Sequence, residues 1–223
     1  MGNDIDRISF VAVIHTDLES VEYARKIVQK VKPEVVAVEL DHERYQQLTI
    51  PVGGEPNQHP RLTGDSAQDL VQQLAILEKS LGEMTGSNIG DEMLAAIEEG
   101  RAVGAKIALV DRPMQATIQA MMRVPLNELY GLTTILPDAA KDIEEGGAKD
   151  ILAMLKEVGA VEDIMKQFQT EFPGLAKVLI EERDEYVAKA LHFILNDVKG
   201  EIVAVLGVGH IQGVKAALER LLF

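Results

Sequence analysis

The sequence predicts an α/β fold in which a small, mostly parallel central sheet is flanked by helices. Four short apolar runs rich in Val, Ile and Ala lack the alternation of a half-solvated sheet, which is typical of buried parallel strands. They span residues 8–14, 35–38, 107–110 and 202–206. A long stretch with only helical patterns separates the last two runs, and it predicts a large helical insertion or lid before the last core strand.

The composition excludes several classes of site and partner. The chain of 223 residues has no cysteine, which excludes disulfides, thiolate zinc sites and cysteine nucleophiles. Its net charge is −14 and no run of Lys and Arg offsets it, so we expect no nucleic-acid partner. No apolar stretch approaches the roughly 18 to 20 residues of a spanning helix. We expect a soluble, cytoplasmic domain, with membrane attachment only through a segment beyond the terminal LERLLF.

The first two strands enclose a helix. In SVEYARKIVQKVKPE, apolar residues recur at helical spacing from Val21 to Val31, and Pro33 ends the pattern. A strand, a helix and a second strand form a βαβ unit, whose parallel crossover is right-handed by default. We therefore expect these two strands to run parallel.

The rest of the chain is mainly helical. The stretch IPVGGEPNQHPRLTGD, crowded with Pro and Gly, predicts a surface loop. Helical patterns follow at 65–82 and 91–103 and lead to the third strand. From 112 to 197 every pattern is helical, with breaks at RVPLNELYG, ILPD, EEGGAKD and EFPG, which predicts a helical insertion at 112–197 within a single domain of 1–223. Its last helix, in 175–198, returns the chain to the fourth strand.

Polar residues follow every predicted strand. His15 follows the first, Glu39 the second, Asp111 and Arg112 the third, and the stretch GVGH ending in His210 the fourth. In open α/β sheets, ligands bind in the crevice outside the carboxyl ends of the strands. If the four strands are parallel, these side chains gather at one edge and form a candidate site.

Each of these residues also has a structural interpretation. His15 can be explained as a capping or hydrogen-bonding group only. Glu39 can pair with Arg44 on the next helical turn, and Asp111 can cap the helix that Pro113 begins. The glycines of GVGH can form a tight turn before the last helix; a phosphate loop is disfavoured because they follow the last strand and not the first. The other histidines are weaker candidates: His42 as a rim group, His59 as a solvated loop residue and His192 as a structural one.

Five motifs in order resemble the TraB/PrgY family over nearly the whole chain. They are HTDLESV, PEVVAVELDHERYQQL, GDEMLAAIEEGRAVGAKIALVDRPMQATIQ, LIEERDEYVAKAL and VAVLGVGHIQGV. The family is associated with shutdown of peptide pheromone activity. Its wider relatives include the Tiki proteins, which look like metal-dependent proteases, and more distantly the erythromycin esterases and ChaN-like proteins, whose folds the present α/β prediction resembles.

The resemblance implies a site built from two Gly-x-x-His elements and a glutamate. In this sequence they correspond to 12–15, to 207–210 and to Glu39, although Ala12 replaces the first glycine and Asp17 stands where a serine is common. The family's further motifs place other residues at the site, where we expect them to bind substrate or support those that do: Ser20, Arg44, Asp111, Arg112, Glu182, Arg183 and Asp184.

Two classes of function remain open from the sequence. In the first, His15, Glu39 and His210 hold a divalent ion (Mn, Co or Zn) for hydrolysis of a peptide or related amide, and Arg183 or Arg112 holds a substrate carboxylate or the developing oxyanion. A variant has His15 as a metal-free general base. In the second, the same pocket sequesters a peptide or small ligand without turnover. A homodimer built on the helical insertion is a third, structural hypothesis.

Overall fold

The computed structural model describes residues 4–15, 17–49, 69, 70, 73, 88–142, 145 and 147–222. It confirms the four predicted strands: β1 is Ile8–Val13, β2 is Val35–Val38, β3 is Lys106–Leu109 and β4 is Ile202–Gly207. They form one sheet in the order β1-β4-β2-β3, and every pair is parallel. The predicted α/β class is therefore confirmed.

One face of the sheet is covered by helices from the first half of the chain. Helix α1 is Leu18–Val31, α2 is His42–Thr49 and α3 is Asp91–Ala102. Buried side chains of α1 and α3, such as Ala24 and Ile97, pack on Val11, Val36 and Val205 of the strands. The predicted surface loop and most of the predicted helix at 65–82 lie outside the described residues, although Leu70 is helical and buried.

Helices between β3 and β4 confirm the predicted helical insertion as helical. They are α4 (Met114–Met121), α5 (Leu126–Asp142), α6 (Ala148–Leu155), α7 (Ala160–Glu171), α8 (Pro173–Ala176) and α9 (Glu182–Asp197), with one π-helical segment, Lys177–Glu181, between α8 and α9. Met121, Leu129 and Leu175 lie in a separate apolar cluster within this region. No helix in the described part of the chain is both long and apolar enough to cross a membrane.

The second face of the sheet is covered by α9 and by the last helix, α10 (Ile211–Leu222). Leu191 of α9 and Leu218 of α10 pack with Ala204 and Leu206 of β4 in one buried cluster. Both central strands, β2 and β4, are therefore covered on both faces, which explains their continuous apolar sequence.

The strand order determines which strand ends are neighbours. Because β4 lies between β1 and β2, the carboxyl end of the last strand is next to the ends of the first two. His15, His210 and Glu39 consequently follow three adjacent strands at one edge of the sheet. This is the crevice in which open α/β sheets bind their ligands.

Candidate functional site

Glu39 lies at the centre of the site, buried at the end of β2. Its Oε2 accepts a hydrogen bond from the backbone N–H of Gly207 at 2.7 Å, and its Oε1 accepts one from Arg183 Nη2 at 2.8 Å. Burial by itself would raise the pKa of Glu39, but the charges of His210, Arg183 and His15 and the Gly207 N–H outweigh it and lower the pKa to about 2. Glu39 is therefore a carboxylate near neutral pH.

Each of the two predicted histidines is held by a carboxylate through its Nδ1 atom. Nδ1 of His15 lies 2.7 Å from Oε1 of Glu92, and Nδ1 of His210 lies 2.7 Å from Oδ1 of Asp184. A carboxylate at Nδ1 favours the tautomer in which Nδ1 carries the proton and Nε2 is the basic nitrogen. Nε2 of His210 lies 3.5 Å from Oε1 of Glu39. In both imidazoles, therefore, a carboxylate holds Nδ1 and leaves Nε2 as the basic nitrogen.

Gly207 marks the point at which these groups converge. A Cβ atom added there would lie 3.1 Å from Nε2 of His15, 3.4 Å from Oε2 of Glu39 and 3.6 Å from Cδ2 of His210. The hydrogen of the glycine Cα therefore faces a gap bordered by all three predicted ligands. This close approach of side chains, and not an unusual backbone conformation, favours glycine at the first position of GVGH.

Arg183 lies beside this gap and connects the strand ends. Its Nε and Nη2 donate to the two oxygens of Asp111 at 3.1 and 2.8 Å, and its Nη1 lies 3.3 Å from Nε2 of His210. Burial by itself would lower the pKa of Arg183, but Glu39 and Asp111 outweigh it and raise the pKa above its usual value. The guanidinium is a fixed, buried positive charge, and its planar shape lets it bind a carboxylate through two parallel hydrogen bonds.

Two structural interpretations of single residues prove wrong. Asp111 does not cap α4, since Pro113 occupies the N-cap position without a side-chain bond and the Asp111 carboxylate binds Arg183. Arg44 pairs with Asp111, 3.5 Å away, and not with Glu39. Arg183 accounts for both differences, because its guanidinium binds the carboxylates of both Glu39 and Asp111.

Arg112 and Glu182 lie together, but away from the converging groups. Arg112 donates to Glu182 Oε2 at 3.0 Å, to the Val178 carbonyl at 2.8 Å and to Thr117 Oγ1 at 3.1 Å. These bonds fasten the π-helical segment before α9 to the start of α4. Of the two arginines expected to meet substrate, Arg183 is therefore the one beside the predicted ligands.

Ser20 supports the turn that carries His15. Its Oγ accepts a bond from the N–H of Ile14 at 3.0 Å and donates to Oδ2 of Asp17 at 3.1 Å. Asp17 in turn caps α1 by accepting from the Ser20 N–H. The serine implied by the family resemblance thus holds the backbone next to His15.

Sequence reasoning missed Glu92 as a site residue. It lies in the first turn of α3 with no exposed surface, and its Oε2 is buried without a hydrogen-bond partner among the described groups. A buried carboxylate with only one bonded oxygen is costly and points to a functional reason. Glu92 stands within the motif beginning GDEM, next to the apolar face of an amphipathic helix, and that position was the available signal.

Asp184 reaches His210 because two helices approach closely at Gly213. A Cβ atom at Gly213 would overlap Oδ2 of Asp184. Burial raises the pKa of Asp184 more than its bond to His210 lowers it. Gly213 of α10 therefore provides the space in which the carboxylate of α9 meets the histidine that precedes α10.

The gap opens into a cavity of about 510 Å³, a typical size for a small-molecule or side-chain pocket. Its polar end is formed by His15, Glu39, Glu92, Arg183 and His210, with Arg44 and Glu43 at its side. Its apolar wall is formed by Leu40, Leu48, Ile89, Met93 and Met114. His42, exposed at the start of α2, and His192, bonded to Asn196 on α9, do not line it.

The donor atoms fit the predicted metal in chemical type. Two Nε2 atoms and one ionised carboxylate suit Mn, Co or Zn, and both imidazoles have the carboxylate partner at Nδ1 that metal-binding histidines usually have. Within the described residues, however, no group of three or more His, Cys, Asp or Glu side chains stands close enough to hold an ion as it is. The guanidinium of Arg183 occupies the space between Glu39 and His210, so an ion must displace one of its bonds.

Comparison with known proteins gives one consistent result. The model of the TraB/PrgY/gumN family matches residues 4–222. An uncharacterized protein of Methanocaldococcus jannaschii is 31% identical over 98% of the chain, and a TraB domain-containing protein of Homo sapiens is 24% identical over 96% of it. These alignments cover 55% and 63% of the relatives, so the chain spans little more than half their length.

Proposed function

This chain belongs to the TraB/PrgY/gumN family, and from the chemistry of its site we propose that it is a metal-dependent hydrolase of peptides or related amides. The observation that carries this proposal is the pair of carboxylate-backed histidines, His15 with Glu92 and His210 with Asp184, beside one buried, ionised Glu39. Histidines that serve only as capping groups do not need such support.

His15, Glu39 and His210 would hold the ion. When bound, a divalent ion polarises a carbonyl and lowers the pKa of water toward neutrality. Glu92 and Asp184 keep the Nε2 atoms available as donors, and Glu39 contributes negative charge because its pKa is about 2. With three protein ligands, the site keeps a position for water or substrate, as catalytic sites do.

Arg183 and the apolar wall would position the substrate. The guanidinium places a buried positive charge beside the donors, where negative charge develops on the carbonyl oxygen during amide hydrolysis. Arg44 is half-buried and lines the cavity. It can bind a substrate carboxylate once its 3.5 Å contact with Asp111 is broken. Leu48 and Met114, which are partly exposed, offer an apolar surface for a neighbouring side chain.

The test measures metal binding and peptide cleavage on the same preparations. We expect purified chain to retain Mn, Co or Zn and to cleave members of a peptide mixture, read by mass spectrometry. His15→Ala, His210→Ala and Glu39→Gln should lose both properties. His42→Ala, which changes an exposed histidine outside the cavity, should keep both. If the three site variants retain metal like the wild type, the ligand assignment is wrong.

A second candidate function is capture of a peptide or small ligand without turnover. It is favoured by Arg183, which already satisfies Glu39 and His210 and leaves a preformed polar pocket. The metal-free variant, with His15 as general base oriented by Glu92, uses the same geometry. Cleavage that persists in chelator supports the general base, whereas saturable binding without any cleavage supports sequestration.

A further inference from the structure

The outer edge of β1 has no strand partner in the part of the chain that the structure describes. β1 ends the sheet order and pairs only with β4 there. The Val208 N–H donates to the Val13 carbonyl at 2.8 Å, so Val13 and the alternate residues before it direct their backbone groups at β4. The N–H and C=O groups of Phe10 and Ala12 therefore point outward, and Ala12 is exposed.

A second cavity, of about 930 Å³, lies beside this edge. Ala12, Ile14 and Val208 form its floor, and α1 and the loop between α6 and α7 form its walls. Three large apolar side chains of the walls are exposed: Leu18 at 55%, Tyr23 at 49% and Val158 at 106%. Clusters of exposed apolar side chains next to polar ones mark interaction surfaces. We call this cavity the edge groove.

The edge groove is acidic. Lys156 Nζ crosses from the α6–α7 loop to Asp17 Oδ1 at 3.0 Å and to Glu19 Oε2 at 2.9 Å, so its charge is already paired. Of the remaining charged residues that the structure shows in the lining, three are acidic and one is basic: Glu22, Glu157, Glu162 and Lys26. A partner of complementary charge is therefore positive.

We propose that the edge groove binds an extended, basic peptide segment as an added strand on β1. The backbone of the segment pairs with Phe10 and Ala12, its apolar side chains contact Leu18, Tyr23 and Val158, and its Lys or Arg side chains meet the acidic rim. Ile14 lines the groove and its chain neighbour His15 lines the candidate site. Delivery of the peptide to that site rests on the proposed function, whereas its binding does not.

Binding is tested without turnover, by fluorescence anisotropy with the His15→Ala chain in chelator. The probe is a labelled peptide of about nine residues, the length of a long strand, with alternating Val and Lys. Two matched peptides serve as controls, one with Glu in place of Lys and one methylated at alternate backbone amides. We expect both controls to bind at least about tenfold more weakly. Equal binding of the methylated peptide would overturn the added strand.

Variants of the groove locate the binding. Val158→Asp and the double change Glu157→Lys with Glu162→Lys should each weaken binding about tenfold or more, because all three side chains are exposed lining residues. Met122→Asp and Glu219→Lys change equally exposed residues elsewhere and should leave binding unchanged. Undiminished binding in the groove variants overturns the proposal. The proposal is also overturned if no peptide binds and light scattering shows a doubled mass that Val158→Asp abolishes. A second copy of the chain would then cover β1.

If peptide binds as expected but the wild-type chain cleaves nothing with added Mn, Co or Zn, the groove stands and the hydrolase proposal fails. If cleavage occurs at a rate that neither the groove variants nor the charge of the peptide changes, the hydrolase proposal stands and delivery of the peptide from the groove to the candidate site is overturned.

Discussion

Oε1 of Glu92 lies 2.7 Å from Nδ1 of His15, although 77 residues separate them in the chain. Glu92 lies in the first turn of α3 and His15 follows β1, so the bond joins a helix to the turn after an edge strand. Glu92 is fully buried and His15 faces the cavity. The carboxylate therefore fixes the orientation of the imidazole from behind.

Glu92→Gln keeps the shape of this side chain and removes its charge. We expect affinity for Mn, Co or Zn to fall about 10- to 100-fold, as it does when the partner of a metal-binding histidine is lost. Calorimetric titration measures the affinity, and nitrogen NMR of His15 reports whether the proton leaves Nδ1. Glu98→Gln, on the exposed side of the same helix, is the control. Unchanged affinity and an unchanged tautomer would show that Glu92 has no positioning role.

Arg183→Met removes the charge that lies between Glu39, Asp111 and His210. We expect a loss of about 3–5 kcal/mol in the free energy of unfolding, because the buried carboxylates lose their partner. Added Mn, Co or Zn should restore part of this loss, since an ion that binds only the folded state stabilises it. Denaturant titrations with and without metal measure both effects, with Arg123→Met, an exposed partner of Glu182, as control. A metal response no larger than that of the wild type would argue against competition between Arg183 and an ion.

The pH dependence of stability should carry the signature of Glu39. Its pKa falls from 4.5 to about 2 on folding, so its stabilisation is fully present above about pH 4.5 and is lost as the pH falls toward 2. Across this window we expect the difference in unfolding free energy between wild type and Glu39→Gln to shrink by roughly 3 kcal/mol. Urea titrations from pH 5.5 to 2.5 follow most of this change. A constant difference over that range would mean that Glu39 is not an ionised partner of the site.

Gly213→Ala should destabilise the chain although alanine favours helices. An ordinary Gly→Ala change inside a helix gains up to about 1 kcal/mol, whereas here the new methyl group overlaps Oδ2 of Asp184. We expect a net loss of about 1–3 kcal/mol and, with it, weaker metal binding through His210. In a background of Asp184→Ala the same change should be neutral or stabilising. Thermal unfolding of the four chains measures this coupling, and additive effects would rule out the steric cause.

The sequence predicts the sheet and its three central site residues because both depend on local patterns. Buried parallel strands leave continuous apolar runs, and whatever follows them must meet at one edge, which was sufficient for His15, Glu39 and His210. Glu92 could not be found in this way, since an acid in the first turn of a helix, here beside Asp91, looks the same in the sequence whether it is buried or solvated.

Sequence patterns also leave undetermined the direction in which a side chain points. Arg112 and Arg183 stand in equally polar motifs, and only the packing of α9 against the sheet turns Arg183 toward Glu39 and Arg112 toward Glu182. The alternative of a helix cap at Asp111, which the structure excludes, has the same origin. Asp111 stands two residues before Pro113, a pattern that favours a helix start. Its carboxylate instead accepts two charge-assisted hydrogen bonds from the buried guanidinium of Arg183.

The adjacency of β1 and β4 also has a consequence for biosynthesis. His15 follows β1 and His210 follows β4, so the two imidazoles cannot meet until synthesis has passed position 210. A nascent chain that lacks β4 contains most of the hydrophobic residues but no assembled site. The candidate site is therefore assembled only after β4 has entered the middle of the sheet, between β1 and β2.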